Sequence, residues 1–178
     1  VTDEIERRTG AAELRVEGGR RLIGRVAPFN TPTRIANFSE EIAPGAFRAS
    51  LASGADIVAL QDHMPDRLLG RTKSGSLRLA EDGTGLNFAL DVPDTTLGRD
   101  LLTMVARGDV GGMSFGFIPT DERWPKPDHR ILRGVDLREI SVVAWQPAYP
   151  NTTVAARSRH AAPATDRASR LRLWARTL

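Results

Sequence analysis

Most of the chain alternates apolar and polar residues with a period of two, the mark of half-buried strands. The stretches RRLIGRVAPFN (20–30) and ADIVALQDH (55–63) read as strands. SLRLAEDGTGLNFALDV (76–92) is a hairpin pattern, two alternating runs joined around Asp82 to Gly85. Two longer strands follow, GGMSFGFIPTDERW (111–124) and ILRGVDLREISVVAW (131–145). The period changes to that of a helix in DTTLGRDLLTMVARGD (94–109). There Asp94, Thr95 or Thr96 is the N-cap, Leu97, Leu101, Leu102 and Val105 form one face, and Gly108 is the stop. A shorter helix is predicted over PGAFRASLASG (44–54), with Pro44 near its first turn and Gly54 closing it. The expected class is therefore α+β and β-rich. The expected architecture is a closed or strongly curled, mostly antiparallel β-barrel with a few flanking helices, since closure removes vulnerable strand edges.

The alternation ends near residue 156. Residues 157–178, RSRHAAPATDRASRLRLWARTL, hold six arginines against one aspartate, enough to make a mildly acidic body part of a chain of net charge +3. The Ala, Pro and Ser-rich start of this tail offers too little apolar surface to offset the entropy of ordering it. Its end could form a short amphipathic helix presenting Leu171, Leu173 and Trp174 to a partner. The expected organisation is a domain over 1–156 and a basic, flexible tail over 157–178.

Composition removes several function classes. No cysteine is present, which excludes disulfides, thiolate metal sites and a cysteine nucleophile. Apolar runs are interrupted by charge or proline well short of the roughly 20 residues needed to span a bilayer. The N-terminal VTDEIERRTG lacks the apolar segment of a secretory signal. Nucleic acid is a poor candidate partner, because the positive charge is confined to the tail and no recognition motif accompanies it.

Three side chains stand out as candidate chemistry. Ser114 alternates with Met113, Phe115 and Phe117, so its hydroxyl shares a face with Gly116 and opposes the aromatics. It is either a small polar residue on a solvent face or a nucleophile on a rigid strand. On the second reading Gly116 leaves room for a peptide backbone to approach, and free amides of the preceding GDVGG line an oxyanion hole. His63 leaves a strand into a Pro-containing turn, either as a half-exposed turn residue or as a general base facing a cleft. Asp62 and Asp66 beside it lack the ligand spacing of a metal site. His129 and His160 read as solvated. Glu139 lies on a strand face with Ser141 and Val143, with Arg138, Ile140 and Val142 on the other. A carboxylate beside an apolar run needs a cation or an imidazole, so Glu139 either forms an ordinary salt bridge to arginine or orients a catalytic histidine.

The ordered set RVAPFN, SEEIAPGAF, QDHMPDRLLGR, GTGL, VGGMSFGF and REISVVAWQPAYPNTTV resembles the prohead (procapsid maturation) serine protease family of tailed bacteriophages and related gene-transfer particles. The resemblance covers roughly residues 20–156. That family is distantly similar to herpesvirus assemblin, whose core is a β-barrel ringed by helices. The resemblance implies a nucleophile at Ser114, a general base at His63 and an orienting carboxylate at Glu139, with Ser141 as the fallback third member. It implies no metal or organic cofactor. Its implied substrates are major capsid protein and scaffold segments, together with the protease's own ends, inside a procapsid assembling in the bacterial cytoplasm. A homodimer is left open. The competing reading is a non-catalytic barrel that builds or scaffolds the particle.

Overall fold

The structure is a computed structural model and describes residues 4–12 and 14–144. The boundary at 156, the tail, His160 and the candidate tail helix lie outside the described residues.

Two sheets share one core. The seven-stranded sheet is built around a long hairpin, β10 (Gly112–Lys126) and β11 (His129–Val143). On one side β10 pairs with β1 (Glu6–Ala11). On the other side β11 forks. Its first residues pair in parallel with β5 (Phe38–Ile42), which carries β4 (Thr33–Ile35), and its last residues pair in parallel with β6 (Val58–Gln61), which carries β7 (Met64–Arg71). The four-stranded sheet runs β2 (Arg15–Glu17), β3 (Arg21–Pro28), β9 (Gly85–Asp91) and β8 (Leu77–Glu81). Leu22, Leu86 and Leu90 of the smaller sheet and Phe115, Phe117 and Ile140 of the larger are all buried in the common core. A run of aromatic contacts, Phe29 to Phe47 to Phe115 to Phe117 at centroid distances of 6.3, 5.7 and 5.2 Å, ties β3, β10 and the segment before helix α1 (Arg48–Ala52) together.

The barrel expectation is wrong: among the described residues neither sheet closes on itself. The fork in β11 leaves three free edges on the larger sheet and the smaller sheet keeps two. These edges are protected without closure. Strands β2 and β4 are only three residues long, β1 is rich in charge, and β7 carries Pro65 in a stretch where its register against β6 shifts.

Helix α2 (Thr96–Arg107) forms as the pattern predicts. The Thr95 hydroxyl accepts from the Gly98 amide at 3.1 Å, and Gly108 takes a left-handed φ of 81° that ends the helix. The Gly108 and Asp109 amides bond back to Val105 and Met104, a Schellman closure. Those two amides are thus committed to the helix rather than free for an oxyanion hole. Helix α1 is shorter than expected because Gly45, at φ 88°, adopts a conformation no helical residue takes. The predicted hairpin closes over Asp82, whose carboxylate accepts from the Thr84 hydroxyl and amide, the Gly85 amide and Asn87. These bonds hold its pKa at about 2.

Candidate active site

Register decides what meets Ser114. Residues directly opposite one another in paired strands share a face. Thr9 of β1 pairs with Ser114 of β10, Ser114 with Ser141 of β11, and Ser141 with Leu60 of β6. One row along on the same face stand Arg7, Gly116, Glu139 and Val58. The seven-stranded sheet therefore carries its hydrophobic core on one face and a row of small and charged groups on the other.

Strict alternation would place Arg138 in the core beside Ile140. A bulge prevents this: Gly116 pairs with Glu139 but Phe117 pairs with Leu137, so Arg138 is the extra residue. Arg138 turns to solvent and binds Asp136 at 2.7 Å, while Leu137 takes the core position. The expectation that Arg138 shares the face of Ile140 and Val142 fails for this reason.

The space above Gly116 belongs to Glu139, not to an incoming peptide. A Cβ at Gly116 would lie 2.7 Å from Glu139 Cγ and 2.9 Å from its Oε1. Only glycine lets this carboxylate lie across β10 towards β1. There Arg7 Nε donates to Glu139 Oε1 at 2.8 Å, and His63 Nδ1 reaches the same oxygen at 2.7 Å. Burial pushes the Glu139 carboxyl up, but the hydrogen bonds and charges of His63 and Arg7 outweigh it and hold it below its usual range. Glu139 is thus ionised at neutral pH and accepts only. His63 Nδ1 must carry the proton, which leaves Nε2 of the neutral ring as a free base.

His63 is presented by a tight turn. Asp62 and His63 are the two loop residues between the paired Gln61 and Met64, and both have positive φ, 52° and 61°, as a type I′ turn requires. For non-glycine residues this costs about 1 kcal/mol each. The turn is pinned to β11: the Asp62 amide donates to the Val142 carbonyl and Asp62 Oδ1 accepts from the Ala144 amide, both at 3.0 Å. Pro65 lies beyond the turn, within β7. The imidazole is partly exposed, its side chain 22 % accessible.

Ser114 is not on the open face that alternation implied; its exposure is 0 %. Thr9 on one side and Ser141 on the other flank a small residue. The Thr9 hydroxyl donates to Ser114 Oγ at 3.0 Å. Among the described residues no hydrogen bond joins Ser114 to His63. The structure therefore brings His63 and Glu139 into contact and sets Ser114 one row along the same face, held by Thr9. Ser141 Oγ, opposite Ser114, is buried with no hydrogen-bond partner among the described residues. His129, expected in a solvated loop, opens β11 half-buried, its Nε2 3.4 Å from Glu41.

Arg7 and Thr9 were not legible as site residues. They lie in ERRTGA, which has no apolar alternation to mark a strand.

The chain is a serine protease. It belongs to the caudovirus prohead serine protease family, whose model matches residues 8–167, and it acts in prohead maturation. Its fold is similar to that of the bacteriophage T4 capsid assembly protease, gp21, with a TM-score of 0.52 over 81 % of this chain and 97 % of that one at 13 % identity. No curated protein matches the chain. A purely structural role for the chain is not favoured.

Proposed function

We propose that Ser114 is the nucleophile, His63 the general base and Glu139 the group that orients it. The observation that carries this reading is the 2.7 Å contact between Glu139 Oε1 and His63 Nδ1, which fixes the tautomer and frees Nε2. The Ser114 hydroxyl turns from Thr9 towards His63 as a peptide enters. Ser114 Oγ attacks the carbonyl carbon while its proton passes to His63 Nε2, giving a tetrahedral intermediate. The C–N bond then breaks as His63 returns the proton to the leaving amine, leaving an acyl-enzyme. Water, deprotonated by the same imidazole, releases the acyl group and restores the serine. Glu139 stabilises the imidazolium in both halves.

The substrates are major capsid protein and scaffold segments and the chain's own ends, cleaved inside an assembling procapsid in the bacterial cytoplasm. The particle is a tailed-phage prohead or a related gene-transfer particle. The basic tail, 157–178, recruits the protease to the inner shell, and a homodimer is its candidate assembly. Coexpression with the shell and scaffold proteins tests the assignment. Ser114→Ala should abolish their processing while particles still assemble; processing that continues would refute the nucleophile.

A further inference from the structure

We propose that Arg7 is a positioning residue for the His63–Glu139 pair, fixing the carboxylate that orients the imidazole. The inference rests on the reading of His63 and Glu139 given above. Arg7 Nε and His63 Nδ1 converge on one oxygen, Glu139 Oε1, at 2.8 and 2.7 Å. The two donors approach from different elements, β1 and the β6–β7 turn, so the carboxylate is held from both sides of β10. The register makes this contact possible. Arg7 pairs with Gly116 and Gly116 with Glu139, and the missing side chain of Gly116 is what lets the carboxylate cross to β1.

Stability does not by itself account for the contact. Glu139 is buried but the Arg7 side chain is 48 % exposed, and solvent at one partner weakens an ion pair. Strand β1 is already anchored on the opposite face, where Arg8 donates to Glu40 of β5 and Glu6 accepts from Arg130 of β11. With β1 so fixed, Arg7 is free to serve the site. A guanidinium beside the carboxylate also opposes a second positive charge on the imidazole. The other charges on the His63 hairpin are Asp62, paired with Arg67 at 3.8 Å, Asp66, and Arg71 at the far end of β7, which is bound to Asp56. Among the described residues, β10 adds no charge in the two rows concerned, where it carries Ser114 and Gly116.

The test uses the full chain and a fluorophosphonate probe, from which Ser114 Oγ displaces fluoride as His63 takes the hydroxyl proton. The rate of labelling at Ser114 is followed against pH, beside an NMR titration of the His63 ring. Removing the cation favours imidazolium, so Arg7→Ala should move the acid limb and the His63 titration up by about one pH unit. It should also lower the plateau rate on the order of tenfold as the carboxylate loses its second anchor. Arg7→Lys, which keeps the charge, should restore the limb. A merely structural arginine would move neither. Arg7→Gln, with much of the stem retained, gives the same reading if the alanine variant is unstable. Labelling of native Ser114 with an unmoved limb in both neutral variants would overturn the Arg7 inference alone. Native protein that is not labelled at Ser114, or His63→Ala labelled as fast as native, would overturn the underlying site and the inference with it.

Discussion

Arg7 and Arg8 are adjacent in sequence and meet two different electrostatic environments, because successive residues of a strand point to opposite faces. Arg8 enters a buried network with Arg130, Glu6, Glu40 and Glu122. All three nitrogens of each guanidinium donate: Arg8 to Glu40, Glu6 and the Arg7 carbonyl, Arg130 to Glu122, Glu6 and Glu40. Arg8 also lies 5.3 Å from the Phe117 ring centroid and Arg130 5.9 Å from that of Trp124. On the other face Arg7 joins a smaller group that leaves His63 Nε2 unspent. Saturated charge clusters hold strands together; a cluster with one reactive atom left over can do chemistry. The same strand thus supplies an anchor and a tuning charge from consecutive positions.

The largest expected effect separates the two clusters. Glu139→Gln should lower the unfolding midpoint modestly, since the amide keeps the volume but loses the charge shared with Arg7 and His63, yet lower kcat/KM by about 10³- to 10⁴-fold, because the amide no longer enforces the base-competent tautomer. Glu40→Ala should do the reverse. It takes one carboxylate from two buried guanidinium groups that keep Glu6 and Glu122, and should cost about 1.5–3 kcal/mol in urea unfolding, with activity per folded molecule preserved. Gly116→Ala joins the two kinds of effect. Its Cβ would strike the Glu139 side chain, so a loss of about 1–3 kcal/mol should accompany a fall in activity as the carboxylate is displaced.

Acid titration probes both clusters at once. Burial raises the Glu6 carboxyl, but hydrogen bonds and charges from Arg130 and Arg8 bring it below the ordinary value, as Arg7 and His63 do for Glu139. Folded-state pKa values below the unfolded ones mean that these carboxylates stabilise the protein above about pH 4.5, the ordinary value for glutamate, and that this contribution is lost as pH falls through the folded values. Urea midpoints measured downwards from pH 6 should therefore fall, and Glu6→Gln should flatten the decline. The smallest effect serves as a control. Arg21→Ala, which leaves the exposed Asp91 with Arg78 alone, should leave both the midpoint and the activity within error.

Much of this protein is written locally. The period-two runs through Leu22, Leu60, Leu86 and Phe115 mark strands, and Thr95 and Gly108 set the ends of α2, because alternation and capping depend on residues a few positions apart. The motifs around His63, Ser114 and Glu139 sufficed to name the family. Strand β1 left no such trace, since a polar edge strand is fixed by the partner it pairs with. The bulge at Arg138 was equally silent, because it is a mismatch between two strands and neither strand alone records it.

What the sequence determined by itself was which segments extend, which coil and which side chains could react, for each is a matter of near neighbours. Only the tertiary structure decided that the sheets stay open, that Glu139 fills the space over Gly116, and that Thr9 and Arg7 reach the site. Those outcomes follow from register between strands as much as a hundred residues apart, where a shift of one position would turn every side chain to the other face.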